Sequence, residues 1–155
     1  MIRTILALVL GLIVGFVLVM GGEMVSYVVF PPPANLDMND SEALRQYMET
    51  LPPSAFLLVL LSHFMGSFGS GFTAAMLAKR GKVIHALVMG VLFLITGIMN
   101  LRALPHPLWF MIVDPIIFLP AALAGAMLVA RPTGAKPSPP AQDPLEISYE
   151  PPPVS

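Results

Sequence analysis

Four long apolar runs constrain this chain more than anything else in it: residues 5–30, 54–78, 83–101 and 108–130. They hold 26, 25, 19 and 23 residues. A helix rises about 1.5 Å per residue, so crossing a hydrocarbon core of roughly 30 Å takes about 20 apolar residues. Inside lipid every backbone N–H and C=O must be satisfied within the structure, which makes such runs helices. Strands of a membrane barrel would alternate apolar and polar residues, and none of the runs does. Composition points the same way. Charged residues are 11% of the chain, against roughly 25% in an ordinary soluble domain. Hydrophobic residues are 56%, and the mean hydropathy is +0.81. A soluble globular domain and a disordered chain are both excluded. A formal net charge of −1 leaves no basic surface for nucleic acid. The lack of cysteine excludes disulfides, thiolate metal sites and cysteine nucleophiles.

The expected fold is all-α: an integral membrane bundle of four antiparallel transmembrane helices with a short amphipathic helix in the first outer loop. Residues 1–131 form the membrane domain, and residues 132–155 a Pro-rich, flexible cytoplasmic tail. Pro31, Pro32 and Pro33 end the first span, because three prolines cannot continue a helix. Pro52 and Pro53 open the second, where proline suits a first turn. Lys79, Arg80, Gly81 and Lys82 make a tight hairpin. The first run also has features of a secretory signal, but it continues past Glu23 and lacks an A-x-A cleavage pattern, so it is expected to be retained.

Orientation follows from the basic residues. Arg3, Lys79, Arg80, Lys82, Arg131 and Lys136 fall on one side of a four-span arrangement, Arg45 and Arg102 on the other. Both termini are then expected in the cytoplasm. In the acidic outer loop, Asn39 and Glu42 stand three apart, as in a capping box. Leu44, Tyr47, Met48 and Leu51 follow at i, i+3, i+4 and i+7. That stripe suits a helix on the outer membrane surface, or equally a connector packed on the end of the bundle.

Helices in lipid associate where small side chains let backbones approach. Gly11 and Gly15 form G-x-x-x-G in the first span; Ser67, Gly71 and Ala75 repeat every four residues in the second. Ala86, Gly90 and Gly97 mark the third, and Ala121, Ala122, Gly125 and Ala126 the fourth. Every span therefore has a groove for a neighbour.

The residues that do not belong in lipid gather in its outer half. Glu23 and Asp114 lie about 10 Å below the outer boundary and His63 about 15 Å, at 1.5 Å per residue. Asn100, Arg102 and His106 sit just above. These groups admit three readings. One is structural: Glu23 pairs with His63 or Arg102, and Asp114 caps local backbone near Pro115. Another is a proton or substrate site, since two carboxylates and an imidazole in a low-dielectric layer couple to one another. A metal site of Glu23, His63 and Asp114 is the third. Ligand type permits it, but no H-x-x-x-H or E-x-x-H spacing supports it, and no metal or cofactor is expected. Pro115 and Pro120 either break the fourth helix beside a cavity or merely kink it. His85, in the first turn of the third span, is expected to be wetted. No G-x-S-x-G, H-E-x-x-H, P-loop or dinucleotide motif is present, so no enzyme is expected.

The stretch from Gly22, Glu23 and Met24 to Phe30 and Pro31, the acidic loop ending Leu51-Pro52, the run Gly66 to Gly71, and Leu104-Pro105-His106-Pro107-Leu108-Trp109 carry a resemblance. Over residues 5–130 the chain resembles an uncharacterised family of small bacterial four-span integral membrane proteins. The resemblance implies a fold and a location in the bacterial inner membrane, and no activity. Such relatives carry a histidine shortly after the glutamate; here Ser26 and Tyr27 stand there.

The leading expectation is a non-enzymatic scaffold or accessory subunit, with the lipid bilayer, a second copy or a larger membrane complex as partner. The alternative is a small proton-linked carrier using Glu23, His63 and Asp114. A scaffold should have a dry, filled interior. A carrier should have a polar cavity reaching those residues from one side.

Overall fold

The computed structural model describes residues 2–37 and 39–129. The expected tail, with Arg131 and Lys136, lies outside them. The described residues form five helices and no strand: α1 (Ile2–Val29), α2 (Ser41–Thr50), α3 (Pro53–Leu77), α4 (Lys82–Ala103) and α5 (Leu108–Val129). All but α2 are long and apolar enough to cross a membrane. The chain thus has the architecture of a small four-span, multi-pass membrane protein.

Helix ends extend beyond the apolar runs where polar side chains find partners. α1 begins at Ile2, and Arg3 Nε donates to Leu77 O at the end of α3 (2.8 Å). α4 begins at Lys82, whose Nζ donates to Val129 O at the end of α5 (2.9 Å). Both cations thereby sit where a helix exposes unpaired carbonyls and the negative end of its dipole. Gly81, with φ of +63°, reverses the chain between α3 and α4 in the left-handed conformation that glycine adopts without strain.

α3 is the hub. It packs on α1, α4 and α5, whereas α1 barely meets α4. In a chain that reverses direction at every crossing, α3 and α5 run parallel, and their contacts keep a constant register. His63 meets Asp114, Ser67 Oγ donates to Phe118 O (2.7 Å), and Gly71 lies against Ala122. Each pair is separated by the same 51 positions, so one i, i+4 row of α3 lies along one row of α5. A Cβ on Gly71 would stand 2.7 Å from Ala122 Cα, and one on Gly125 would stand 2.8 Å from Phe72 N. Backbone meets backbone there, as the small-residue stripes predict. On the other side of α3, Gly11 approaches Ser70 and Ala74, and Gly15 approaches Ser70 and Phe93. This packing draws α1 and α5 close to α3 in the half of the bundle below His63.

Two expectations are corrected, for Asn39 and His85, and one open choice, at Pro115 and Pro120, is decided. The cap of α2 is Asp40, not Asn39: its carboxylate accepts from the N–H groups of Glu42 and Ala43, while Asn39 turns back to Asp37. An aspartate one residue nearer the helix reaches those amides directly. α5 is not broken at Pro115 or Pro120; both lie inside one continuous helix. His85 is not simply wetted. Its Nδ1 bonds Gly81 O (2.9 Å), and its Nε2 is buried with no partner among the described residues.

The stripe of α2 faces the bundle. Leu44 is buried, and Tyr47 Oη donates to Phe30 O at the end of α1 (3.1 Å). On the outward face Arg45 bridges Glu42 and Glu49. The Arg45 and Gln46 side chains hold the Glu42 carboxyl down at about 2, so this clip is ionised at any physiological pH.

Candidate functional site

The constant register of α3 against α5 brings His63 and Asp114 together in the outer half of the bundle. His63 Nδ1–H donates to Asp114 Oδ1 at 2.6 Å, a short, charge-assisted distance. Asp114 is fully buried and His63 is 5% exposed. Asp114 does not cap backbone near Pro115: one carboxylate oxygen takes the imidazole. The other, Oδ2, is buried beside Gly97 without a partner among the described residues. Phe110 and Phe118 flank the His63 ring, with centroids 6.5 and 5.5 Å away. The pair therefore sits in an apolar surround, where charges interact strongly.

The opposite ring nitrogen, Nε2, faces Glu23 Oε1 on α1 at 3.6 Å. This is longer than a hydrogen bond but within charge contact. Close packing of Gly22 against Ser62 sets α1 at this height on α3. The three side chains form a row, carboxylate, imidazole, carboxylate, across α1, α3 and α5. They do not converge on one point, and no group of three or more acid or imidazole side chains suited to a metal ion occurs among the described residues.

Glu23 is the open end of the row, with 43% of its side chain exposed. Two cavities meet there. One, of about 290 Å³, lies beneath α2 and is lined by Tyr27, Phe30, Tyr47, Phe56 and Asn100 as well as Glu23. The other, of about 170 Å³, lies in the crevice between α1 and α4 and reaches His63; it shares Glu23 and Asn100 with the first. Asn100 thus joins the layer across the cavity from the row. Arg102 does not. It is exposed in the last turn of α4 and makes no ion pair with a described residue. No Lys or Arg lines either cavity.

Sequence reasoning missed the roof. Tyr47, Met48 and Leu51 line the upper cavity, so the stripe was visible, but not that α2 folds over Glu23. His106 also lines it and stacks on Phe110 (centroids 4.9 Å apart, planes 11° apart). Burial pushes the His106 imidazole below its ordinary value, so it is uncharged at neutral pH. Burial, and Tyr27 beside it, push the Tyr47 phenol up, so it stays a neutral hydrogen-bonding group.

The charge count around the row is unbalanced. Two carboxylates face one imidazole, and no other cation lines the cavities. With every group ionised, one negative charge remains in excess in a layer where an unbalanced charge is costly.

The chain matches no family model, no curated protein and no solved structure. What the row does is therefore argued from its geometry.

Proposed function

We propose that this chain is a small proton-linked carrier of a bacterial inner membrane, with Glu23, His63 and Asp114 as its proton-binding row. The observation that carries the reading is a pair of cavities that meet at Glu23. The upper one lies beneath α2 at that end of the bundle, and the lower one reaches His63 from the crevice between α1 and α4. Glycine contacts hold α3 close to α1 and to α5 on the far side of this layer. A carrier needs such access to its charged row. The excess negative charge of the row gives it a reason to bind a proton. No catalytic step is proposed.

The bacterial assignment rests on the family resemblance. The inward position of both termini rests on Arg3, Lys79, Arg80 and Lys82, which share the end of the bundle away from α2.

A scaffold or accessory subunit is the second reading, favoured by α1. Only Ala7, Gly11 and Gly15 of this span are buried, and it leans mainly on α3, leaving a broad apolar face for another helix or a second copy.

Infrared difference titration separates the two. The full-length chain in lipid vesicles is brought reversibly between about pH 5 and pH 9, a range that spans the ordinary histidine value and lies above the carboxylate ones. A proton site shows a protonated-carboxyl band that comes and goes with pH and is lost in Glu23→Gln, with the helical amide band unchanged. Carboxyl groups that never change state across the range overturn the proton site and leave the scaffold.

A further inference from the structure

We propose that the cavity beneath α2 binds a monovalent organic cation, an ammonium group on a compact apolar or aromatic body, with its charge against Glu23. The proposal rests on the proton-linked reading and names the substrate class for the same site.

Size, lining and charge each narrow the ligand. The cavity holds about 290 Å³, at the small end of the roughly 300–1,000 Å³ of small-molecule sites. Its walls carry the aromatic rings of Tyr27, Phe30, Tyr47 and Phe56. Ring faces attract cations, and quaternary ammonium groups are held by such aromatic sets. Glu23 supplies the one partly exposed carboxylate. A hard metal ion wants six or more oxygen ligands, and the walls offer aromatic and aliphatic carbon instead. An anionic ligand would meet the unbalanced negative charge of the row. A divalent organic cation would overshoot a single excess charge.

The groups facing Glu23 set its competition with protons. They are Tyr27 on α1, Tyr47 on α2, His63 on α3 with Asp114 behind it on α5, Asn100 on α4, and His106 in the loop before α5. Tyr47 and Asn100 carry no charge, and His106 is neutral at neutral pH. No Lys or Arg lines the two cavities; Arg45, in the adjoining space under α2, is held by Glu42 and Glu49, and a charged His63 is already opposed by Asp114, so proton and organic cation compete for one charge vacancy. Binding of one releases the other. That exclusion is the coupling that an exchange of cation for proton requires.

The ligand has an entry path. α1 barely touches α4, and the lower cavity opens in the crevice between them beside Glu23 and Asn100. An amphipathic cation partitions into the outer membrane layer at that level and reaches the carboxylate sideways.

Benzyltrimethylammonium is the probe, and neopentylbenzene, the same shape without the charge, is its control. Binding to the full-length chain in detergent is measured by titration calorimetry in buffers of different ionisation heat. The expected result is saturable binding of the cation only, with proton release at acid pH. The dissociation constant should rise by up to about tenfold for each pH unit of acidification once protons occupy the site. Glu23→Gln should weaken binding at least tenfold. Equal binding of the neutral isostere, or no binding of the cation, overturns the proposal, and this comparison needs only the unaltered chain if Glu23→Gln fails to fold. The two readings fail separately. A carboxyl band that titrates without cation binding rejects the substrate class and keeps the proton site, whereas a band that never titrates rejects both.

Discussion

Asp114 and Glu23 hold one imidazole on unequal terms. The Asp114 bond is 2.6 Å long and wholly buried; the Glu23 contact is 3.6 Å, with 43% of the glutamate side chain exposed. Solvent and headgroups screen the second and not the first, so their worth should differ. Removing Asp114 leaves a buried imidazole without its acceptor, a loss of about 3–5 kcal/mol where such pairs are broken on one side. Removing Glu23 leaves an exposed edge of the same ring. Double-mutant cycles should therefore give a His63–Asp114 coupling above about 1 kcal/mol, at the high end for polar contacts in membrane bundles. The His63–Glu23 coupling should be less than half of it. His63→Ala, Asp114→Ala and Glu23→Ala, with the two double variants, are compared by unfolding in mixed detergent. Equal couplings would show that the imidazole is shared evenly and that Asp114 is not its chief partner.

At the scale of the element, the closeness of α3 to α5 rests on glycine. A Cβ on Gly71 would meet the backbone of Ala122, which cannot swing aside as a flexible side chain does. Gly71→Ala should thus force the helices apart and cost about 1–3 kcal/mol, the range for overpacking. Because the same interface carries the 51-residue register, the shift should also lengthen the His63–Asp114 bond. Gly21 is the control. Nothing lies within 4 Å of a Cβ placed there, so Gly21→Ala should be neutral or stabilise α1 by up to about 1 kcal/mol through helix propensity. Thermal unfolding of both variants in one detergent checks the pair; a Gly71→Ala protein that melts with the unaltered chain would reject the interface.

The molecule as a whole was legible in proportion to how local each signal is. Four spans could be read because length and apolarity are properties of one segment, and lipid allows such a segment no other structure. The small-residue stripes were readable too, but not which stripe meets which, because that depends on the rotation of one helix against another. Hence Glu23, His63 and Asp114 could be assigned a similar depth, while their pairing could not: Asp114 bonds His63 rather than capping backbone, and Arg102 stays outside the row. α2 shows the same limit: its stripe said that one face is covered, not that it roofs a cavity. The remaining question at this scale is which end faces outward, and charge gives an expectation. Arg3, Lys79, Arg80 and Lys82 cluster at one end, Arg45 and Arg102 at the other. Basic loops stay on the cytoplasmic side, so α2 and the cavity should face out. Ser41, at the start of α2, and Lys79, in the hairpin after α3, are both exposed among the described residues. The chain has no cysteine of its own. Ser41→Cys should react with a membrane-impermeant maleimide in intact cells, and Lys79→Cys only after permeabilisation. The reverse pattern would invert the molecule and turn the Glu23 cavity toward the cytoplasm. Labelling of both in intact cells would mean that the hairpin and α2 share one side, which four alternating spans do not allow.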